Sequence, residues 1–150
     1  MADARDQILN LMYLYAHRFD DAEFEDFAAL FERGSVDLGV ERPLKGAEEV
    51  LRFVSERVIL YDGSPCTNHL IHNPLIQVED GGFEATARSY VQILQGVPGH
   101  PIEVIATGRY LDRFVAESGE WRFAERVGRG SLRGNFSRHL RPTEPAGSGT

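Results

Sequence analysis

Thr67-Asn68-His69-Leu70-Ile71-His72-Asn73-Pro74 is the stretch at which this 150-residue chain changes from helical to strand periodicity. Upstream of it, apolar residues recur at intervals of three and four; downstream they mostly alternate. Ile8, Leu11, Met12, Tyr15 and Phe19 predict one face of a helix running from about Ala4 to Phe19. Asp20 or Asp21 then reads as the N-cap of a second helix, with Glu23 placed as in a capping box. Phe24, Phe27, Ala28 and Phe31 give that helix its apolar face, and Gly34 ends it. Val36 to Val40 has the pattern of a short strand, and Pro43 and Gly46 mark a loop. Ala47, Val50, Leu51, Val54 and Val58 predict a third helix reaching about Leu60.

Four longer strands are expected to follow. Thr67 to Glu79 is joined to Phe83–Leu94 by the hairpin signal Glu79-Asp80-Gly81-Gly82. Val97-Pro98-Gly99-His100-Pro101 breaks the chain before Ile102–Val115, and Glu117-Ser118-Gly119-Glu120 turns into Trp121 to about Val127. Helices followed by an antiparallel meander define an α+β fold. A curved sheet wrapped over three helices forms a cone with an apolar interior, suited to a small hydrophobic ligand. We read residues 1–140 as one domain and 141–150, rich in Pro, Gly and Ser, as a disordered tail.

The bulk properties restrict the partners. A net charge of −7 argues against nucleic acid. Arg129, Arg133, Arg138 and Arg141 form a local basic stretch, which reads as a solvated face or a subunit contact. No apolar run approaches the roughly 20 residues of a membrane span, and the charged N-terminus lacks signal-peptide character, so a cytoplasmic location is expected. Cys66 is the sole cysteine, which excludes an internal disulfide. His69 and His72 are three apart on a strand and point to opposite faces, so no metal site is expected there. No glycine-rich strand-to-helix motif is present for a phosphate-bearing cofactor, and none is expected.

The chemistry-bearing candidates are Asp20, at the end of the first helix, and His69, at the opening of the first long strand. A carboxylate orienting an imidazole moves protons near neutral pH without a metal or cofactor. Asp20 can also cap a helix, and its two oxygens permit both roles. Tyr15 lies on the apolar face of the first helix, where it either packs or polarises a carbonyl or leaving group. Strand period places Thr67, His69, Ile71, Asn73 and Leu75 on one face, so Asn73 is a candidate for orienting substrate. Tyr90 and Tyr110 are candidate pocket residues, Arg126 a candidate anion ligand or structural ion-pair member, and Asp112 a structural residue.

In order and spacing, these segments resemble the SnoaL-like branch of the nuclear-transport-factor-2-like superfamily. The carrying residues are Tyr15 and Asp20, Leu30-Phe31, and Thr67 through Pro74. After them come Ala87-Arg88-Ser89-Tyr90, Gly108 through Arg113, and Gly119 through Arg126. The likeness covers about Arg5 to Gly128. It implies the cone-shaped barrel already expected. In dehydratase and dehydrochlorinase members, an Asp ending the first helix pairs with a His on the strand after the third, and these positions match Asp20 and His69, with Tyr15 five residues before the Asp. Scytalone dehydratase also uses a second catalytic histidine on a later strand. No strand after His72 contains one, and His100 falls in a loop, so that full mechanism is not expected.

The expectation is therefore a cofactor-free acid–base lyase or isomerase, of dehydratase or cyclase type, acting on a small hydrophobic cyclic molecule. Its catalytic residues would be His69, Asp20 and Tyr15, with Asn73, Tyr90, Tyr110 and Arg126 as substrate contacts. The alternative is a non-catalytic ligand carrier, or an assembly module like the β subunit of a ring-hydroxylating dioxygenase. An outer sheet face left exposed would favour a homodimer or homotrimer.

Overall fold

The structure, a computed structural model, describes residues 2–39 and 42–143. Helix α1 is Ala4–Asp20, α2 is Phe24–Ala29 and α3 is Gly46–Arg57. The strands are β1 (Ser35–Asp37), β2 (Leu44–Lys45), β3 (Thr67–Val78), β4 (Glu84–Gln95), β5 (Glu103–Glu117) and β6 (Glu120–Arg133). They form one sheet in the order β2-β1-β6-β5-β4-β3, in which β1 runs parallel to β6 and all other neighbours are antiparallel. The architecture is the α+β one expected. It adds β2, where the sequence reads as loop, and carries β6 well past Val127.

Each helix forms where its apolar period requires. Asp3 caps α1 by accepting the Asp6 N–H at 2.8 Å, and Ile8, Met12, Tyr15 and Phe19 are buried on one face. The expected capping box at Asp20 is not formed. α1 continues through Asp20, the chain turns at Ala22 with φ 57°, and Glu23 occupies the N-cap of α2 without a side-chain hydrogen bond. The reason is competition: the Asp20 carboxylate is engaged by β3 instead, as described below.

The sheet curls because its long strands are bulged. Register shifts fall between His72 and Leu75, Ile93 and Leu94, Thr107 and Gly108, and Arg113 and Phe114. Each bulge bends its strand and increases the local twist. At Gly108 the strands approach so closely that a Cβ would lie 2.7 Å from the Arg129 carbonyl oxygen, which only glycine accommodates. The concave face closes over Phe27, Phe31, Phe53, Phe114 and Phe123.

After β6 the chain returns across the mouth of the cone. The Arg138 carbonyl accepts from Tyr61 Oη at 2.7 Å and Gln95 Nε2 at 3.0 Å, and the His139 carbonyl accepts the Ile59 N–H at 3.0 Å. The tail read from Arg141 onward thus begins with an anchored residue, because the Arg141 N–H donates to the Arg57 carbonyl at 2.7 Å. Residues 144–150 lie outside the described residues.

One ion pair is fully enclosed. Arg126 Nε and Nη2 each donate to Asp112 at 2.8 Å, and neither side chain is exposed. The guanidinium carbon lies 4.4 Å from the Tyr15 ring centroid and 3.9 Å from that of Tyr110. Burial opposes the charge of Arg126, and Asp112 outweighs it, holding the guanidinium pKa above its ordinary value. Removing one partner strands the other in an apolar interior. Asp112→Ala is expected to cost about 3–5 kcal/mol in urea unfolding. The double variant Asp112→Leu/Arg126→Met should recover a large part of that loss.

Candidate active site

Asp20 and His69, 49 residues apart in the chain, meet where the C-terminal end of α1 crosses the start of β3. One carboxylate oxygen, Oδ2, accepts the His69 backbone N–H at 2.7 Å. The other, Oδ1, accepts the Thr67 hydroxyl at 2.8 Å and lies 2.7 Å from His69 Nδ1. A carboxylate can only accept, so Nδ1 of the neutral ring carries the proton and Nε2 keeps the lone pair. The backbone bond sets the height of the strand and the side-chain bond sets the plane of the ring. Phe19 packs against the imidazole with ring centroids 4.7 Å apart, further limiting its rotation.

The dyad opens onto a cavity of about 150 Å³. That is close to the volume that accepts a single benzene ring in an apolar protein interior. Its walls include Phe19, Phe53, Val91, Ile93 and Leu140, with His69, Tyr15 and Tyr110 among the lining residues. The Tyr15 ring stands edge-on to His69 at a centroid distance of 6.3 Å and to Tyr110 at 5.6 Å. Burial pushes both phenol pKa values up, that of Tyr110 further, so both hydroxyls remain protonated and can donate.

The structure separates the remaining sequence candidates. Asn73 does not share the His69 face: it adopts φ 52° within the β3 bulge and is exposed on the outer side of the sheet. The expected period of two holds through Ile71 and is broken at the His72–Leu75 register shift, which leaves Leu75 62% exposed. Tyr90 also faces outward, 40% exposed, beneath the Arg109 guanidinium at 4.6 Å. Arg126 does not line the cavity; it is enclosed behind Tyr15 and Tyr110 and committed to Asp112. Of the four proposed substrate contacts, Tyr110 alone reaches the cavity. His72 is exposed on the outer face beside Asn73, and among the described residues no three His, Cys, Asp or Glu side chains converge as metal ligands.

A second cavity histidine was missed from the sequence. His139, on the segment that returns across the mouth, is 3% exposed and stands 6.4 Å from His69 between ring centroids. Phe19 at 5.7 Å and Phe136 at 5.4 Å flank it, and its Nδ1 is buried without a hydrogen-bond partner. The second histidine is expected on a later strand, whereas this one comes from the chain beyond β6. Phe136-x-x-His139-Leu140, an apolar triad spaced three and four apart in a polar tail, was the available signal.

The chain belongs to the SnoaL-like domain family, whose profile matches residues 1–127. No curated protein matches the sequence. Among solved structures, a proposed scytalone dehydratase from Novosphingobium aromaticivorans is 24% identical with a TM-score of 0.70, covering 97% of this chain and 95% of that one. A protein of unknown function with a cystatin-like fold from Nostoc punctiforme is 18% identical with a TM-score of 0.71, covering 87% and 93%. ActVI-ORFA from Streptomyces coelicolor is 15% identical with a TM-score of 0.69, covering 84% and 96%. These likenesses establish the fold. No helix among the described residues is long and apolar enough to cross a membrane.

Burial lowers the His139 pKa to about 3, His69 adds to the effect, and Asp20 opposes it. The unfolded chain therefore takes up this proton near pH 6.5 while the folded protein resists it until about pH 3. The stability contributed by the neutral ring is complete above pH 6.5 and declines as the pH falls toward 3. Urea unfolding from pH 7 to pH 4 should show wild type losing up to about 1.4 kcal/mol per pH unit more than His139→Phe. Parallel acid limbs would show that His139 is not held neutral.

Proposed function

We propose that the protein is an acid–base lyase or isomerase for a small, largely apolar cyclic substrate. The observation that carries this reading is the Asp20–His69 contact at 2.7 Å, made at the wall of a cavity that can hold one ring. His69 Nε2 removes a proton from a carbon next to a carbonyl or leaving group. Asp20 fixes the tautomer and balances the imidazolium that forms. Tyr15 lies on the same wall with its phenol protonated and supplies a hydrogen bond to the developing oxyanion or departing oxygen.

The second imidazole fits this division of labour. His139 has no carboxylate partner among the described residues, and burial lowers its pKa to about 3, which makes it a weak base suited to a hydrogen-bonding role. Dehydration, the activity in the name of the Novosphingobium relative, is one reaction such a site can perform. A homodimer or homotrimer built on the outer sheet face, where Leu75, Tyr90 and Leu111 are exposed, belongs to the same reading.

The test is a screen of cyclic β-hydroxyketones and related enolisable ketones, following new conjugated absorbance and solvent-deuterium incorporation. Wild type should turn over at least one of them. His69→Ala should lower kcat by about 10²–10⁴-fold, the usual contribution of a general base. Asp20→Asn should also reduce kcat while leaving ligand affinity within about threefold. Binding without turnover or exchange, unaffected by His69→Ala, would indicate a carrier.

A further inference from the structure

We infer that Arg133 receives a carboxylate carried by the substrate, at the opposite end of the cavity from His69. This rests on the acid–base reading for the chemistry at His69 and specifies the class of molecule: an apolar ring bearing an anionic arm.

The strand registers put the two residues on one line. His69 pairs with Ile93, Ile93 with Ala106, and Ala106 with Arg133, crossing β3, β4, β5 and β6 in turn. Residues directly opposite in an antiparallel sheet project from the same face, and all four line the cavity. Three strand spacings separate the end residues by about 14–15 Å along the sheet. Ile93 and Ala106 lie between them in the row; His69 is buried and Arg133 is open to solvent. A ring placed over Ile93 and Ala106 has an imidazole at one side and a guanidinium at the other.

The charges are distributed to match. The chain carries a net −7, yet the cavity lining includes no Asp or Glu, and of its arginines Arg133 shares the His69 face. Most of the basic C-terminal stretch is occupied elsewhere. Arg129 pairs with Asp37 at 3.2 Å, Arg138 with Glu103 at 3.7 Å, and Arg141 donates to the Glu56 and Val58 carbonyls. Arg109 lies over Tyr90 on the outer face. Among the described residues the Arg133 side chain has no hydrogen bond or ion pair. Its guanidinium rests 5.2 Å from the ring centroid of Phe136, itself a cavity residue. An aromatic face orients a guanidinium while leaving its N–H edge free, and that edge is the part a carboxylate engages in bidentate fashion. A solvated arginine would explain the missing partner. It would not explain the place of Arg133 in the His69 row or its seat on a ring of the cavity wall.

The experiment compares matched probes: benzoate and 3-phenylpropionate against benzamide and 3-phenylpropionamide, titrated calorimetrically at pH 8. The His69 imidazole NMR signals report whether the ring enters the cavity. Wild type should bind the better carboxylate about tenfold more tightly than its amide, and added salt should weaken the acid alone. Arg133→Met, with unfolding confirmed to match wild type, should abolish that preference and leave the amide affinity unchanged. Arg133→Lys should restore part of it. Equal affinity for acid and amide, with His69 signals moving, would overturn the anion inference while leaving the cavity reading intact. A preference surviving in Arg133→Met would also overturn it. If neither acid nor amide binds or moves the His69 signals, both the inference and the cavity reading fail together.

Discussion

One carboxylate ties the helical layer to the sheet where the cavity begins. Asp20 accepts from the His69 backbone, the Thr67 hydroxyl and the His69 ring, so a single side chain fixes the position, register and ring plane of the same strand residue. These bonds are partly shielded from solvent, where a charge-assisted hydrogen bond is stronger and a broken one costlier. The alternative use of this carboxylate, capping α2, would have left the imidazole free to turn. α2 begins without a side-chain cap, which is the local cost of assigning Asp20 to the site.

The Asp112–Arg126 pair plays a complementary part from behind. It does not touch the cavity, but its guanidinium supports the rings of both Tyr15 and Tyr110, which do. A cation against the ring faces holds two aromatic side chains at fixed orientation, and a buried pair gains more in specificity of arrangement than in net stability. Positioning thus comes from two directions. Asp20 orients the His69 imidazole from the helix end, and Arg126 supports the cavity tyrosines from the sheet.

Much of this was legible in the sequence because it depends on periodicity. The helical face of α1 and the switch to strands at Thr67 follow from local patterns, whereas the pairing of Asp20 with His69 rests on the family resemblance, because no local motif joins residues 49 apart. Asn73 was misplaced because a bulge shifts the face by one residue, and only Pro74 hinted at it. Tyr90 alternates with the buried Ala87, Ser89 and Val91, so the period of β4 puts it on the outer face with Arg88, a placement the local pattern carries. β6 runs past the expected end near Val127 through Gly128 and Gly130, and the close approach of β5 and β6 there is met by Gly108 on the facing strand. His139 and Arg133 were invisible as site residues because both follow that expected end.

The C-terminal segment therefore turns a cone into a site. Without it, the cavity would be an apolar cleft with one oriented imidazole, an arrangement that binds without distinguishing one end of a ligand from the other. With the end of β6 and the segment after it, the cleft gains Arg133 and His139 beside His69, Tyr15 and Tyr110. His69 is aligned by a carboxylate, His139 is kept neutral by burial, and Arg133 is held on Phe136. Each is poised by a different physical cause, so their roles do not interchange. If the anionic arm proposed above sits at Arg133, it lies at the far end of the strand row from the Asp20 carboxylate. The Arg138 and His139 carbonyls, bound to Tyr61, Gln95 and Ile59, hold the returning segment, and with it the His139 ring, against the cavity.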